Sequence, residues 1–415
     1  MKKGAVVIGF RRNMSCLGGR CSVRGFSLVE LMVGVTIGLI ATLLMTQVIV
    51  FYDGQKRGTT SGADAQNTGA VALFTLENDL RQAGYGMATL DTLACSVQSS
   101  GDANGRRIYP ALIIPDGMAA AHANNALRLP PGDAGSDILV VMFSNAVTAA
   151  EGVSIANEHI QGNPGYNPRL YVFGRNITGF RVGDTLLVGQ AGQSCTVTNV
   201  TGVTAATLSV TTDHPSTGAA YAANTARVFN LGNNGLVMRA YAVRGGNLTV
   251  CDLVASDCSA DLSGLTVAQR NALWVPIASN VVGLRAQYGW DTTATADMRV
   301  DAYCRSRLTP GVANCPTPDD GMTGAATVPS TACDFTRITS LRVALVTQGA
   351  ELARDTTNPT DATINLWPTI SGAAVAAPVT VGPTFAVPSQ RYRYKVFNTT
   401  VPIRNVIWFG GQSSC

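Results

Sequence analysis

The stretch Arg24-Gly25-Phe26-Ser27-Leu28-Val29-Glu30-Leu31-Met32 passes within nine residues from a basic segment to an apolar one. Upstream, residues 1–25 hold Lys2, Lys3, Arg11, Arg12, Arg20 and Arg24 and no acid. Downstream, Leu31 to Tyr52 is a run of 22 residues without a charge. As a helix this run is about 33 Å long, enough to cross a hydrocarbon layer of about 30 Å. The flanking charge puts the N-terminus in the cytoplasm and sends the rest outward. A secretory signal is cut after its apolar run, at a small-x-small site. Here the candidate cut precedes the run.

These nine residues resemble the type IV prepilin motif of bacterial pilins and type II secretion pseudopilins. The resemblance implies that a membrane aspartyl peptidase cuts Gly25–Phe26, that Phe26 becomes N-methylated, and that Glu30 is the fifth residue of the mature chain. An uncleaved single-span anchor is the plainer alternative. A 25-residue leader is long for the common pilin subclass, and a start at Met14 leaves twelve residues before the same Gly25 site.

Glu30 also stands out physically. A carboxylate in a spanning helix costs about 2.5 kcal/mol or more at mid-bilayer and marks function by default. Its natural partner is the ammonium freed at Phe26. Within one helix that pair closes poorly; between two staggered helices it closes well, so the charges set assembly register, as the resemblance implies. The alternative is a side chain that snorkels to the headgroups.

Removing the six leader cations leaves 24 basic against 26 acidic residues, a net of −2. No basic footprint for nucleic acid remains. Only 13% of the chain is charged and 43 residues are glycine, which favours a β-rich extracytoplasmic protein. Cys16 and Cys21 lie in the leader; Cys95, Cys195, Cys251, Cys258, Cys304, Cys315, Cys333 and Cys415 lie beyond it, an even set suited to disulfides. Cys251 and Cys258 enclose six residues after the Leu248–Val250 strand and make a plausible pair. No Cys-x-x-Cys occurs and His122, His159 and His214 are scattered, so no metal or cofactor is expected.

Past the span, Gly54, Gly58 and Gly62 suggest flexibility. Gly69, Leu73, Leu76, Leu80 and Ala83 then form one helical stripe, with Glu77, Asp79 and Arg81 facing away, until Gly84 and Gly86 stop the helix. The expected fold is α+β: one helix from Phe26 to about Ala83, transmembrane in its first half, then a large antiparallel β-rich head. The expected division is leader 1–25, transmembrane half 26–52, stem 53–86 and head 87–415. Strands are expected at Ile138–Phe143, Thr185–Val188, Thr196–Val200, Thr207–Val210, Arg227–Leu231, Leu236–Val243, Val281–Trp290, Leu341–Thr347 and Arg391–Phe397, with a hairpin turn at Arg244-Gly245-Gly246-Asn247. Residues 165–225 suggest an inserted β subdomain, and 354–390 read as exposed loops.

The segments 73–85, 281–291 and 392–405 resemble PilW-type minor pilins, in the expected order along the chain. The resemblance implies a minor pilin of the type IV pilus that works without catalysis, by packing with other minor pilins and the major pilin. Prepilin peptidase, the inner-membrane assembly platform and membrane lipid are further implied partners. The chain starts in the inner membrane and ends in the pilus, in an initiation or tip complex. A large J-like type II secretion pseudopilin is the alternative, then a membrane-anchored enzyme; an adhesin role at the tip is compatible with the first reading. No nucleophile elbow, Walker loop, dinucleotide fingerprint or His-Glu-x-x-His is present. Asp291, Asp297 and Asp301, and Asp319 with Asp320, lack calcium-loop spacing and read as solvated loop acids. Trp274, Trp290, Trp367 and Trp408 read as core for at least two of the four, against a glycan or partner surface.

Overall fold

The computed structural model describes residues 26–98, 107–116, 127–146, 152–161, 163, 166–175, 177–215, 220–233, 235–305, 329–351, 361–367 and 384–406. The expected leader, residues 1–25, therefore lies outside the described residues. The chain divides into two compact units, Met1–Arg57 and Gly58–Cys415. Helix α1, Leu28–Gln82, contributes to both and is helical without a break, including at Gly54, Gly58 and Gly62.

In the first unit, Leu28–Asp53 is long and apolar enough to cross a membrane, and none of it is buried within the protein. Its threonines satisfy their own hydroxyls: Thr36 donates to the Val33 carbonyl at 2.9 Å, Thr42 to Leu39 at 2.8 Å and Thr46 to Leu43 at 2.8 Å. Such back-bonding removes the cost of bare hydroxyls in lipid.

In the second unit, the end of α1 buries Ala72, Leu76 and Leu80 in the main core. Two antiparallel sheets complete that core. One has strand order β12-β11-β10-β3-β2, from β2 (Ala111–Ile114), β3 (Ile138–Ser144), β10 (Leu236–Arg244), β11 (Asn247–Asp252) and β12 (Val275–Ser279). The other has order β14-β13-β15-β18, from β13 (Val281–Trp290), β14 (Ala302–Cys304), β15 (Ile338–Gln348) and β18 (Tyr394–Pro402). The Tyr288 hydroxyl accepts the Ile113 N–H at 2.7 Å, and Asp137 donates its N–H to Leu284 at 2.8 Å, joining the two. The fully buried Asp137 carboxylate accepts from Arg285 at 3.0 Å and Arg305 at 2.9 Å, so its charge is compensated. Two short helices, α2 (Val267–Leu273) and α3 (Ala332–Thr336), each open on a threonine capping box.

The β10–β11 turn follows from its glycines. Gly245 and Gly246 have φ of 56° and 72°, the pair of positive values a type I′ turn requires. Asp133 accepts both their N–H groups at 2.9 Å.

A third sheet has its own core. Its order is β4-β9-β6-β7-β8-β5, from β4 (Val153–Ser154), β5 (Leu170–Val172), β6 (Thr185–Gly189), β7 (Cys195–Thr204), β8 (Ser209–Thr212) and β9 (Arg227–Gly232), with β1 (Val97–Gln98) parallel to β7. An antiparallel bridge from Ile155 to Phe173 joins the two outer strands, closing the sheet into a small barrel. Ile155, Tyr171, Phe173, Leu186, Val188 and Val228 fill it. The strand expected at Thr207–Val210 begins only at Ser209, because Ala205–Thr207 is a 3-10 turn and Leu208 takes a φ of +47°.

His159 is wholly buried in the barrel, stacked on Tyr171 with ring centroids 4.3 Å apart, and its Nε2 bonds with the Leu170 carbonyl at 2.9 Å. The acid beside it, Glu158, is exposed and holds Asn163. Burial pushes the imidazole pKa down from 6.5, against the smaller upward pull of the Leu170 bond. The folded state thus keeps His159 neutral where the unfolded chain takes a proton. Stability should be complete above pH 6.5 and fall below it by up to about 1.4 kcal/mol per pH unit until the folded pKa is reached. Urea melts followed by barrel tyrosine fluorescence at pH 7 and 5 check this: His159→Gln should flatten the dependence.

The region read as exposed loops at 354–390 is different where described. Strands β16 (Thr363–Asn365) and β17 (Thr384–Ala386) pair with each other. Leu366, Trp367 and Phe385 are buried with Ala344 and Val346 on the outer face of the second sheet. The Pro/Thr/Ala composition hid three large apolar residues that together suffice for a small core. Strand β18 also runs further than expected, to Pro402, because β15 offers it partners as far as Ser340.

Candidate assembly surface

In the first unit, Phe26 and Ser27 precede the helix, and Phe26 is 81% exposed. Glu30 lies in the first turn of α1 and is exposed. Carboxylates are favoured there by the helix dipole. Within the helix, positions 30, 34 and 38 recur every four residues and so share a face. On that face a Cβ at Gly34 or Gly38 would meet nothing within 4 Å. An exposed acid above two glycines leaves room for another helix to approach closely. Gly25 lies outside the described residues.

In the second unit, the stem is held by side chains from distant parts of the chain. Asp79, expected to face away with Glu77 and Arg81, is only 3% exposed. Its carboxylate accepts from Arg239 Nη1 at 3.1 and 2.9 Å and from the Tyr241 hydroxyl. The spacing itself contained the signal: 72, 76, 79, 80 and 83 all fall on one three-four stripe, so an acid at 79 points inward. Arg239 and Tyr241 sit two apart on β10 and share a face. Burial, and next the carboxylate, hold the Tyr241 phenol above its ordinary pKa, so it stays a donor.

The helix end is closed by the far end of the head. Asn405 Nδ2 donates to the Ala83 carbonyl at 3.0 Å and the Gln82 carbonyl at 3.4 Å. These are among the carbonyls a helix leaves without partners. Gly84, at a φ of 76°, then turns the chain and donates its N–H to Met142 at 2.8 Å. At Gly69 a Cβ would stand 2.2 Å from the Phe397 ring, so only glycine lets β18 pack this close. One turn on, Val71 and Phe74 are 61% and 72% exposed, which makes an apolar outward strip on the stem.

Cys251 is bonded to Cys258 and Cys95 to Cys195. Cys304 and Cys333 are each disulfide-bonded, while Cys16, Cys21, Cys315 and Cys415 lie outside the described residues. Of the loop acids, Asp291 is buried rather than solvated. It accepts from Thr293 and from the Met298 N–H and so shapes its own loop, while Asp301 holds Thr292 and Asp297 caps Arg299. Asp319 and Asp320 lie outside the described residues. Among the described residues no three acids, histidines or cysteines group as metal ligands. Trp274, Trp290 and Trp367 are buried, with Arg244 stacked 4.1 Å over Trp274; Trp408 lies outside the described residues.

Residues 20–46 match the prokaryotic N-terminal methylation motif, and residues 253–405 match PilW, type IV pilus-assembly protein W. The second match contains Phe397 and Asn405, which meet the stem, while Arg239 and Tyr241 lie before it. Among solved structures, a type IV-like pilin from Thermus thermophilus aligns over 55% of this chain and 86% of its own, at 11% identity and a TM-score of 0.16, too low for the alignment to carry a fold argument. No curated protein matches the chain. The chain is thus similar to type IV pilus-assembly protein W over the later part of its β-rich head, and it carries a prokaryotic N-terminal methylation motif at the start of its apolar helix.

Proposed function

We propose that the chain is a minor pilin that enters the type IV pilus by helix packing and acts early in assembly, at or near the tip. The observation that supports this best is Glu30: an exposed carboxylate four residues after Phe26, just ahead of the uncharged run Leu31 to Tyr52 of α1. In lipid that charge needs a partner, and the amine of a neighbouring pilin's first residue is the available one. Before assembly the span holds the chain in the inner membrane with its head outside, as the leader's charge favours. Its partners are then prepilin peptidase, the assembly platform, other minor pilins and the major pilin. The work is non-covalent and assigns no catalytic step.

Glu30→Ala should leave insertion and cleavage intact and reduce recovery in sheared pili or in minor-pilin complexes by roughly tenfold, the equivalent of about 1.4 kcal/mol. Unchanged co-purification with the other minor pilins would count against the pairing.

The tip assignment follows from size. About 330 residues beyond the stem give a head with a radius of gyration of roughly 20 Å. Repeated at the short axial steps of packed helices, such heads collide; at the tip nothing lies above. Immunogold label confined to pilus ends is the expected result, and label spread evenly along shafts defeats it.

A further inference from the structure

Strands β3 and β10 are antiparallel neighbours, with Ser144 opposite Leu236. Just beyond that pair, Asn145 donates its N–H to the Gly235 carbonyl at 2.9 Å. In a simple hairpin a two-residue turn would follow. Here the chain instead leaves at Asn145, builds the barrel from β4 to β9, and returns at Gly235. The barrel has its own closed sheet and core, and it lies wholly before the residues that match PilW.

We infer that the barrel is an inserted module, cooperative in itself, and that pilus entry depends on the rest of the chain. The residues described above as holding the stem support this: Arg239, Tyr241, Phe397 and Asn405 lie outside the insertion. The barrel is seated rather than tethered. Leu187, Phe229 and Leu231 turn outward into the main core, and Cys195 is bonded to Cys95. Gly189 allows the seat, since a Cβ there would stand 2.7 Å from the Asp91 carbonyl oxygen. Such a module is fixed in orientation and free to vary in its outer loops, which suits a part that faces outward and takes no share in packing. The inference rests on the pilin reading only for its second half.

The register specifies the test. Residues 146–234 are replaced by Asn-Gly, which closes the Asn145–Gly235 pair with a type I′ turn, and Cys95 becomes Ser because its partner is lost. Recovery of this variant in sheared pili should stay within about twofold of full-length Cys95→Ser. Loss of the variant from pili, while Cys95→Ser enters normally, overturns the inference. Uncovering the seat lowers the variant's stability, so a second arm uses the intact chain. Hydrogen exchange in rising denaturant should show the amides of β6 and β9 opening in one step and those of β13 and β15 in another. A single common step also overturns it. If the full chain itself is missing from pili, the pilin proposal fails, and the exchange arm still judges the module.

Discussion

Gly25→Leu should leave the chain at full precursor length, still inserted, and missing from pili. The reason is local. A peptidase that cuts in front of a membrane helix must seat the bond in an extended conformation. Phe26 and Ser27 lie ahead of α1, which begins only at Leu28, so the helix does not hold them. On the other side of the bond a residue without a side chain leaves the enzyme's backbone room to approach, and leucine fills that room. The charge pattern and the 22-residue apolar run are untouched by the change, so insertion continues. Two consequences follow from one failure. On the proposed reading, the amine that would face a neighbour's Glu30 should not form, and the basic leader should stay on the helix where another helix would pack. Intact mass separates the outcomes: wild type should begin at N-methyl-Phe26, and the variant should retain the leader, whether that starts at Met1 or Met14. Normal maturation of Gly25→Leu would remove the cleavage assignment and favour an uncleaved anchor.

What could be read from sequence was what local chemistry determines. The span, the acid at its start and the glycines that end α1 each depend on residues within one or two turns. The Gly245-Gly246 turn was legible for the same reason, since both residues adopt the positive φ that other residues avoid. Strands β3, β10, β13 and β15 announced themselves by apolar content. What stayed hidden needed partners far away in the chain. Asp79 finds Arg239 across 160 positions. Asn405 finds the end of α1 across more than 320. The hairpin β16–β17 became visible only with the outer face of β15 that it covers. The barrel was partly legible as a Gly/Thr/Val-rich stretch at 165–225, but its closing strands β4 and β9 lie at either side of that stretch. The two residues of β4 carry no pattern of their own, and only their pairing with Val228 and Arg227 of β9, continued by the Ile155–Phe173 bridge, gives them a role.

The distant Asp79 latch also yields a test with an asymmetric outcome. Arg239→Ala is expected to destabilise the head by about 3–5 kcal/mol, and Asp79→Ala by less, about 1–3 kcal/mol. The difference comes from what each change leaves behind. The Arg239 side chain is 41% exposed, so without its partner it returns to water at little cost; the Asp79 side chain is 4% exposed and has no such route. Arg239→Ala therefore strands a carboxylate with the Tyr241 hydroxyl as its remaining donor among the described residues. Asp79→Ala instead strands that hydroxyl, a neutral group whose burial costs less. The double variant should lie nearer to Asp79→Ala than to the sum, because the charge that made the arginine necessary is gone. In a thermal melt of the head, Arg239→Ala should lower Tm by roughly 5–10 °C. The damage should also be local: amides between Ala72 and Gln82 should lose exchange protection before those of β13 and β15, since the latch joins α1 to β10 alone. Equal losses for the two single variants would mean that the carboxylate reaches water after all, and the latch would then be a surface pair of little consequence. Fewer copies of Arg239→Ala than of Asp79→Ala in sheared pili is the functional counterpart of the stability order.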